Sequence, residues 1–269
     1  MNARTLVVAI AALGAIATAC AQPAGRGTDQ ALAGTSAHFA ATPAYLARAA
    51  HRSAAEPYRV AMTVRVGPVQ DAGSRTFAAE GEVAGDRAAL TLDADPTSVG
   101  RPRSPALAGA DTTLSVVVVP GAVYVHSPMF AALAGIDDPV DAGPLGVLAD
   151  LGDRWGRIAV GPDEEPTFQA LGLPGGDPRH LVARLRGAGG VRDLGAGTVR
   201  GVAVRGVGAT LHGARVRVWV DTHDRVRRIK TVDSPAVRTV TDLYDYGGEA
   251  ISVGEPLDAV DVTDRFGSG

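Results

Sequence analysis

The sequence predicts an α+β fold dominated by an antiparallel sheet. Three observations carry that reading. Long stretches alternate apolar and polar side chains with period two, as in "YRVAMTVRV" from Tyr58 to Val66, the mark of a half-buried strand. Short strands of this kind recur, joined by turn residues at hairpin spacing. Helical periodicity with recognisable caps is confined to two segments, and no strand–helix–strand alternation, which a parallel sheet would need, is present.

The elements follow in order. "MNAR" with Arg4, then the small and apolar run "TLVVAIAALGAIATA" from Thr5 to Ala19, has the length of a secretory leader and is shorter than the roughly 20 residues that span a bilayer. Cys20 follows directly, the sole cysteine of 269 residues. One thiol forms no intramolecular disulfide, and its place after Ala17-Thr18-Ala19 resembles the lipobox of bacterial lipoproteins, whose cysteine carries diacylglycerol. Residues 1–19 are therefore expected to be a lipoprotein signal peptide and Cys20 its lipidation site. Residues 20–41, rich in Gly, Ser, Thr and Pro without a period, read as a lipidated tether. The alternative is an ordinary secretory cut at the same place.

A single domain is expected over 42–264. Thr42 is a good N-cap and Pro43 suits the first helical position, so a helix runs from there to Pro57 with Leu46, Ala49 and Ala50 on its apolar stripe. The Tyr58–Val66 strand follows. "SRTFAAEGEVAGDRAALTLD" predicts two strands turning at Ala84-Gly85-Asp86, and residues 94–111 an exposed loop. "TLSVVVVPGAVYVHSP" predicts a hairpin about Pro120-Gly121 with a type II turn. Short helical pieces among loops are expected over 128–154, and a strand after Trp155. A second capped helix is predicted from Asp177 to Gly187. The last third reads as strands: "TVRGVAVRGVGATL", "ARVRVWVD", "RVRRIKTV" and "VRTVTDLYDYG".

Composition narrows the function. Arginine is used almost to the exclusion of lysine, Lys230 being the one lysine, the codon bias of a GC-rich, actinobacterial coding sequence. The net charge of −3 supplies no global field for nucleic acid, and no nucleic-acid partner is expected. Hydrophobic residues make up 46% but aromatics only 4%, so the core is built from Val, Ala and Leu. The domain must fold without a disulfide, and its length suffices for that.

Chemistry-bearing patterns are few. Asp221, His223 and Asp224 in "WVDTHDRV" could chelate a metal, but their place between two alternating strands fits a tight hairpin better. His126 and Ser127 are adjacent in a strand, so their side chains point to opposite faces and the histidine does not serve the serine as base. "GLPGGD" and "GAGGVRDLGAG" fall short of a phosphate-binding glycine fingerprint. No catalytic residue, metal site or cofactor is expected. Arg215 and Arg217 face Arg225, Arg227 and Arg228 across one hairpin, either as a strip for anionic head groups or as a solvated, charge-protected sheet face.

The order of these elements carries a resemblance. A lipobox and tether lead to a capped helix ending near "YRVAM", then hairpins, "VYVHSP", "RWGRI", "VRGV", "VWVD" and "DLYDYG". Over roughly 43–262 this is similar to the actinobacterial lipoproteins of LppX and LprG type, whose fold is LolA-like. The resemblance implies one strongly curved antiparallel sheet, a half-barrel of about 9–11 strands, with helices over its concave face and an apolar cavity between the two layers. It implies a non-enzymatic lipoprotein on the extracytoplasmic side of the cell membrane. The partner would be a lipid or lipoglycan ligand, carried or chaperoned by a monomer.

An acyl chain is held by buried area, which asks for small and branched apolar side chains on an incompletely filled face. The candidates for that face are Tyr58, Val60, Met62, Val64, Val116, Val118, Val123 and Val125, with 135–153 as a candidate lid. The competing reading is a surface-interaction or structural lipoprotein whose core is filled.

Overall fold

The computed structural model describes residues 41–67, 75–93, 111, 113–129, 147, 149–161, 189–211, 214–232, 237–248 and 251–267. The leader, Cys20, the tether, most of the 94–111 loop and the Asp177–Gly187 helix lie outside them. The elements are α1 (Pro43–Ala54), β1 (Tyr58–Val66), β2 (Arg75–Ala84), β3 (Arg87–Asp93), β4 (Thr113–Val119), β5 (Ala122–His126) and β6 (Gly156–Ala159). They continue with β7 (Gly189–Val199), β8 (Val202–Leu211), β9 (Ala214–Asp221), β10 (Val226–Val232), β11 (Val237–Tyr244), β12 (Val260–Asp261) and α2 (Thr263–Gly267). Helices are few among the described residues, and the strands pair antiparallel with one exception. Two compact units divide the chain. Among the described residues the first holds 41–67, 75–76, 189–211, 214–232 and 237–248, the second 77–93, 111, 113–129, 147, 149–161 and 251–267.

In the first unit α1 begins as expected. The Thr42 hydroxyl accepts the Tyr45 N–H at 3.1 Å, and Pro43 opens the helix. Leu46, Ala49, Ala50 and Ser53, spaced i, i+3, i+4 and i+7, are its buried residues. The strand order is β1-β11-β10-β9-β8-β7. β1 spans the predicted residues, and its period of two is real: Tyr58, Val60 and Met62 are buried while Thr63 and Arg65 are exposed.

One expectation fails here. "TVRGVAVRGVGATL" is not one strand but the end of β7 and all of β8, reversing at Arg200 (φ 46°) and Gly201 (φ 79°). Two consecutive positive φ angles are the requirement of a type I′ hairpin. β7 is built from the glycine cluster "GGVRDLGAGTV", nearly all exposed. It has no alternation to read, because as the last strand in the order it is held through backbone pairing with β8, with register shifts after Gly189 and Asp193.

In the second unit the order is β12-β6-β5-β4-β3-β2. The β4–β5 turn at Pro120-Gly121 has Gly121 at φ 78°, the positive φ that a type II turn needs at that position. β12 was not foreseen. Its two residues lie parallel to β6, fixed by the Val260 N–H on the Trp155 carbonyl (2.8 Å) and the Val262 N–H on the Arg157 carbonyl (2.9 Å). A pair this short leaves no periodicity. With β7 and β12 the described strands number twelve, beyond the 9–11 expected.

β4 and β5 are buried on both faces. Val117, Val119, Ala122 and Tyr124 pack with Val253 on one of them, joined by Ala84, Ala89, Trp155 and Ala259. Tyr124 O–H reaches Glu255 at 2.8 Å and anchors that cover.

Candidate functional site

The eight candidate cavity residues fall into two groups, one in each unit. In the first unit Tyr58, Val60 and Met62 are buried and Val64 half-buried. Antiparallel register carries the same face across the sheet: Val60 opposes Leu243, Met62 opposes Thr241, and Val64 opposes Thr239. Thr241 and Thr239 oppose Ile229 and Thr231 of β10, which in turn oppose Val218 and Val216 of β9. The result is a buried face of small and branched side chains with three threonines in its middle.

In the second unit Val116 opposes Val125 and Val118 opposes Val123. All four lie on the face away from the Val117–Tyr124 cluster, next to Leu90, Ala88 and Ile158.

Sequence reasoning missed Thr239 and Thr241. Both are buried, and neither hydroxyl has a hydrogen-bond partner among the described residues. Such a group costs about 1–3 kcal/mol when buried alone. The signal available was parity. In "VRTVTDLY" one set of alternate positions is Val237, Thr239, Thr241 and Leu243, the other Arg238, Val240, Asp242 and Tyr244.

Further direct contacts between cover and sheet occur in each unit among the described residues. Val226 N–H donates to Ser53 Oγ (2.8 Å), whose own hydroxyl donates to the Ala49 carbonyl (2.8 Å). Tyr246 O–H takes the Val226 carbonyl at 2.5 Å, so the first residue of β10 is held on both sides. In the second unit a Cβ on Gly156 would meet Leu151 Cδ1 at 2.5 Å. Leu151, in the described end of the candidate lid, thus seats on the sheet.

The turn after β9 is a hairpin turn, with Asp224 at φ 58°. Asp221 Oδ1 accepts the His223 and Arg225 N–H groups at 2.8 and 2.9 Å, and Oδ2 accepts Arg227 Nε at 2.7 Å. Its oxygens are thereby engaged in holding the turn. Among the described residues no three His, Cys, Asp or Glu side chains gather as metal ligands. His126 Nε2 lies 3.0 Å from the Asp153 carbonyl and its ring stacks on Trp155, while Ser127 O–H donates to the Thr113 carbonyl at 2.7 Å. The two side chains serve separate neighbours.

Charge on the other face of the first unit centres on Asp242, which accepts from Arg228 (2.5 and 2.7 Å) and Arg200 (3.3 Å). Burial acts to raise the Asp242 pKa, but the two guanidiniums prevail and hold it below the usual carboxylate value. For Asp221 burial is likewise the largest influence and is outweighed by the Arg225 N–H, Arg227 and the His223 N–H, so it too is lowered. Carboxylates with depressed folded pKa values contribute stability that is complete above their unfolded value, near 4, and is lost as pH falls toward the folded one. Urea midpoints are therefore expected to be flat at neutral pH and to drop below about pH 4. Asp242→Asn should flatten that drop; an unchanged acid limb would show that this cluster is not its source.

No family model matches the chain, and no curated protein does. Solved structures do. The chain is similar to LprF from Mycobacterium bovis at 12% identity, covering 80% of this chain and 96% of that one with a TM-score of 0.46. It is similar to the Mycobacterium tuberculosis lipoprotein LppX at 14% identity, covering 79% and 99% with a TM-score of 0.43. A LolA-superfamily protein from Nitrosomonas europaea matches at 11% identity over 77% and 93%, TM-score 0.29. The resemblance to LppX-type lipoproteins read from the sequence has its counterpart here. At these scores it describes the chain trace, and what the protein does is read from its own residues. No helix among the described residues is long and apolar enough to cross a membrane.

Proposed function

We propose that the chain is a non-enzymatic lipoprotein of the cell envelope, anchored through Cys20 on the extracytoplasmic side of the membrane. It binds a hydrophobic ligand, a lipid or lipoglycan, against the buried face of its sheet and carries or chaperones it. In this reading residues 42–264 form one LolA-like domain with a half-barrel sheet and helices over its concave side. The observation that supports it is the buried face of the first unit. Val60, Met62, Leu243, Ile229, Val218 and Val216 offer area without directed chemistry, while the Thr239 and Thr241 hydroxyls lack partners among the described residues. An ester or glycerol oxygen on an otherwise apolar ligand would meet both needs.

The ligand would lie along Val60–Val64 and Thr239–Thr241, away from Ser53 and Val226, where helix and sheet already touch. That contact, with Leu151 on Gly156, favours the second reading, a structural lipoprotein whose core is filled.

One experiment separates the two. The full chain with Cys20→Ser is challenged with a fluorescent acyl ester, and bound native lipid is sought by mass spectrometry. Uptake is expected, and the Thr239→Val, Thr241→Val variant should bind about tenfold more weakly for the two lost hydrogen bonds while melting no lower than the parent. Absence of uptake by the parent, or uptake indifferent to both substitutions, would leave the filled core as the reading.

A further inference from the structure

The face of the first unit opposite the threonines is cationic, in an arrangement that hairpin reasoning did not reach. Arg225 and Arg227 are not part of it. Arg225 forms a two-point pair with Glu56 (3.2 and 2.6 Å), and Arg227 serves Asp221. Arg228 lies on the face but is engaged by Asp242. What remains forms two adjacent cross-strand rows.

In one row Arg65 directly opposes Arg238, which lies level with Val232 and so with Arg215. In the next, Lys230 opposes Arg217, which opposes Gly208 and so Arg192. Each row crosses four strands, and at about 4.8 Å per strand the two together span six strands and roughly 24 Å. Five of the six cations are exposed and Lys230 is half-buried. None of the six has a carboxylate partner among the described residues.

Like charges directly opposite one another destabilise a sheet, and here the register imposes two such pairs. Burial first, then Arg228 and Arg217, lowers the pKa of Lys230 against the opposing influence of Asp242. Hydrophobic and aromatic side chains sit beside the rows. Leu194 is 37% exposed, and Trp219, half-buried, carries Lys230 at 5.3 Å from its ring; tryptophan beside cations suits a membrane interface.

We propose that this face of the first unit docks on an anionic bilayer surface, the two rows of arginine and lysine meeting lipid phosphates. The choice of a membrane over a soluble polyanion rests on the Cys20 anchor. With the attachment at Cys20 proposed above, about 20 residues before α1, the face would be held close to the bilayer, where even millimolar affinity is satisfied. Docking does not depend on what the opposite face holds. A chain that takes up no acyl ester can still pass the test below, and the reverse also holds.

The test is co-flotation of the full Cys20→Ser chain with vesicles of phosphatidylcholine alone or with about 30% phosphatidylglycerol. The N-terminal apolar run contributes to both, so the readout is the ratio of the two partition coefficients. The ratio is expected to exceed tenfold at low salt and approach one by about 0.5 M salt, a measurement that needs no variant. Each neutralised cation should lower binding to anionic vesicles about fivefold, so that Arg217→Gln, Lys230→Gln and Arg238→Gln together remove about two orders of magnitude with circular dichroism unchanged. A ratio near one for the parent, or a ratio kept by a folded triple variant, overturns the proposal. So does tight binding to heparin without preference for anionic vesicles, which would assign the face to a soluble polyanion.

Discussion

Asp221→Ala is expected to destabilise the protein by about 3–5 kcal/mol, because it leaves a guanidinium and two turn N–H groups without their common acceptor. The Asp221 side chain is 1% exposed and that of Arg227 13%, so neither the carboxylate nor its cation is well hydrated in the folded state. Arg227 also lies 5.0 Å from the Tyr246 ring, whose hydroxyl holds the start of β10. Loss of Asp221 therefore loosens the site where α1 seats through Ser53. Urea denaturation with linear extrapolation measures the change. Asp221→Asn, which keeps an acceptor for the turn but no charge for Arg227, should fall between parent and alanine. A change below about 1 kcal/mol for Asp221→Ala would mean that water reaches the turn and replaces the carboxylate.

Gly81→Ala should cost about 2–3 kcal/mol, a large effect for one methyl group. In β2, Gly81 opposes Leu90 of β3. A Cβ there would collide with the Ala89 carbonyl oxygen, and would lie 2.8 Å from Leu90 Cδ2 and 2.9 Å from Leu90 Cα. Two of the three obstacles are backbone, so no rotamer change relieves them and the β2–β3 ladder itself must shift. By contrast Gly85→Ala, at φ 61° with nothing within 4 Å, pays only for backbone conformation, about 1 kcal/mol. Thermal or urea unfolding of both variants tests the distinction. Equal losses would mean that β2 and β3 accommodate the extra carbon.

How much of this was readable before folding differs by element. The ends of β1, the Thr42–Pro43 start of α1 and the Pro120-Gly121 turn are local events. Each depends on side chains within a few residues, and each stands where the sequence placed it. β12 is too short to have a period. In β11 the alternation was visible, but its polarity was not: Thr239 and Thr241 are polar residues turned inward, while Val240 lies on the face with Arg238 and Asp242. Hydrophobicity alone would have turned the valine in. The candidate residues Tyr58, Val60 and Met62 were placed on one face because the period of their strand is unambiguous, and the fold buries that face. Whether their face holds a ligand is a question that alternation cannot address.

The charged residues teach the same lesson. Five arginines of the β9–β10 hairpin looked equivalent in sequence. Folding sent Arg225 to Glu56, Arg227 to Asp221 and Arg228 to Asp242, and left Arg215 and Arg217 beside Lys230 without acids.

By itself, then, the chain determined the course of β1, the capped start of α1 and the Pro120-Gly121 turn, since these follow from propensity, caps and period over a handful of residues. Tertiary structure alone decided which face of each strand is buried, which arginines are neutralised, and that a glycine-rich segment serves as strand β7. Those outcomes depend on register between residues distant in the chain. A one-residue slip in that register exchanges the two faces without altering the local signals.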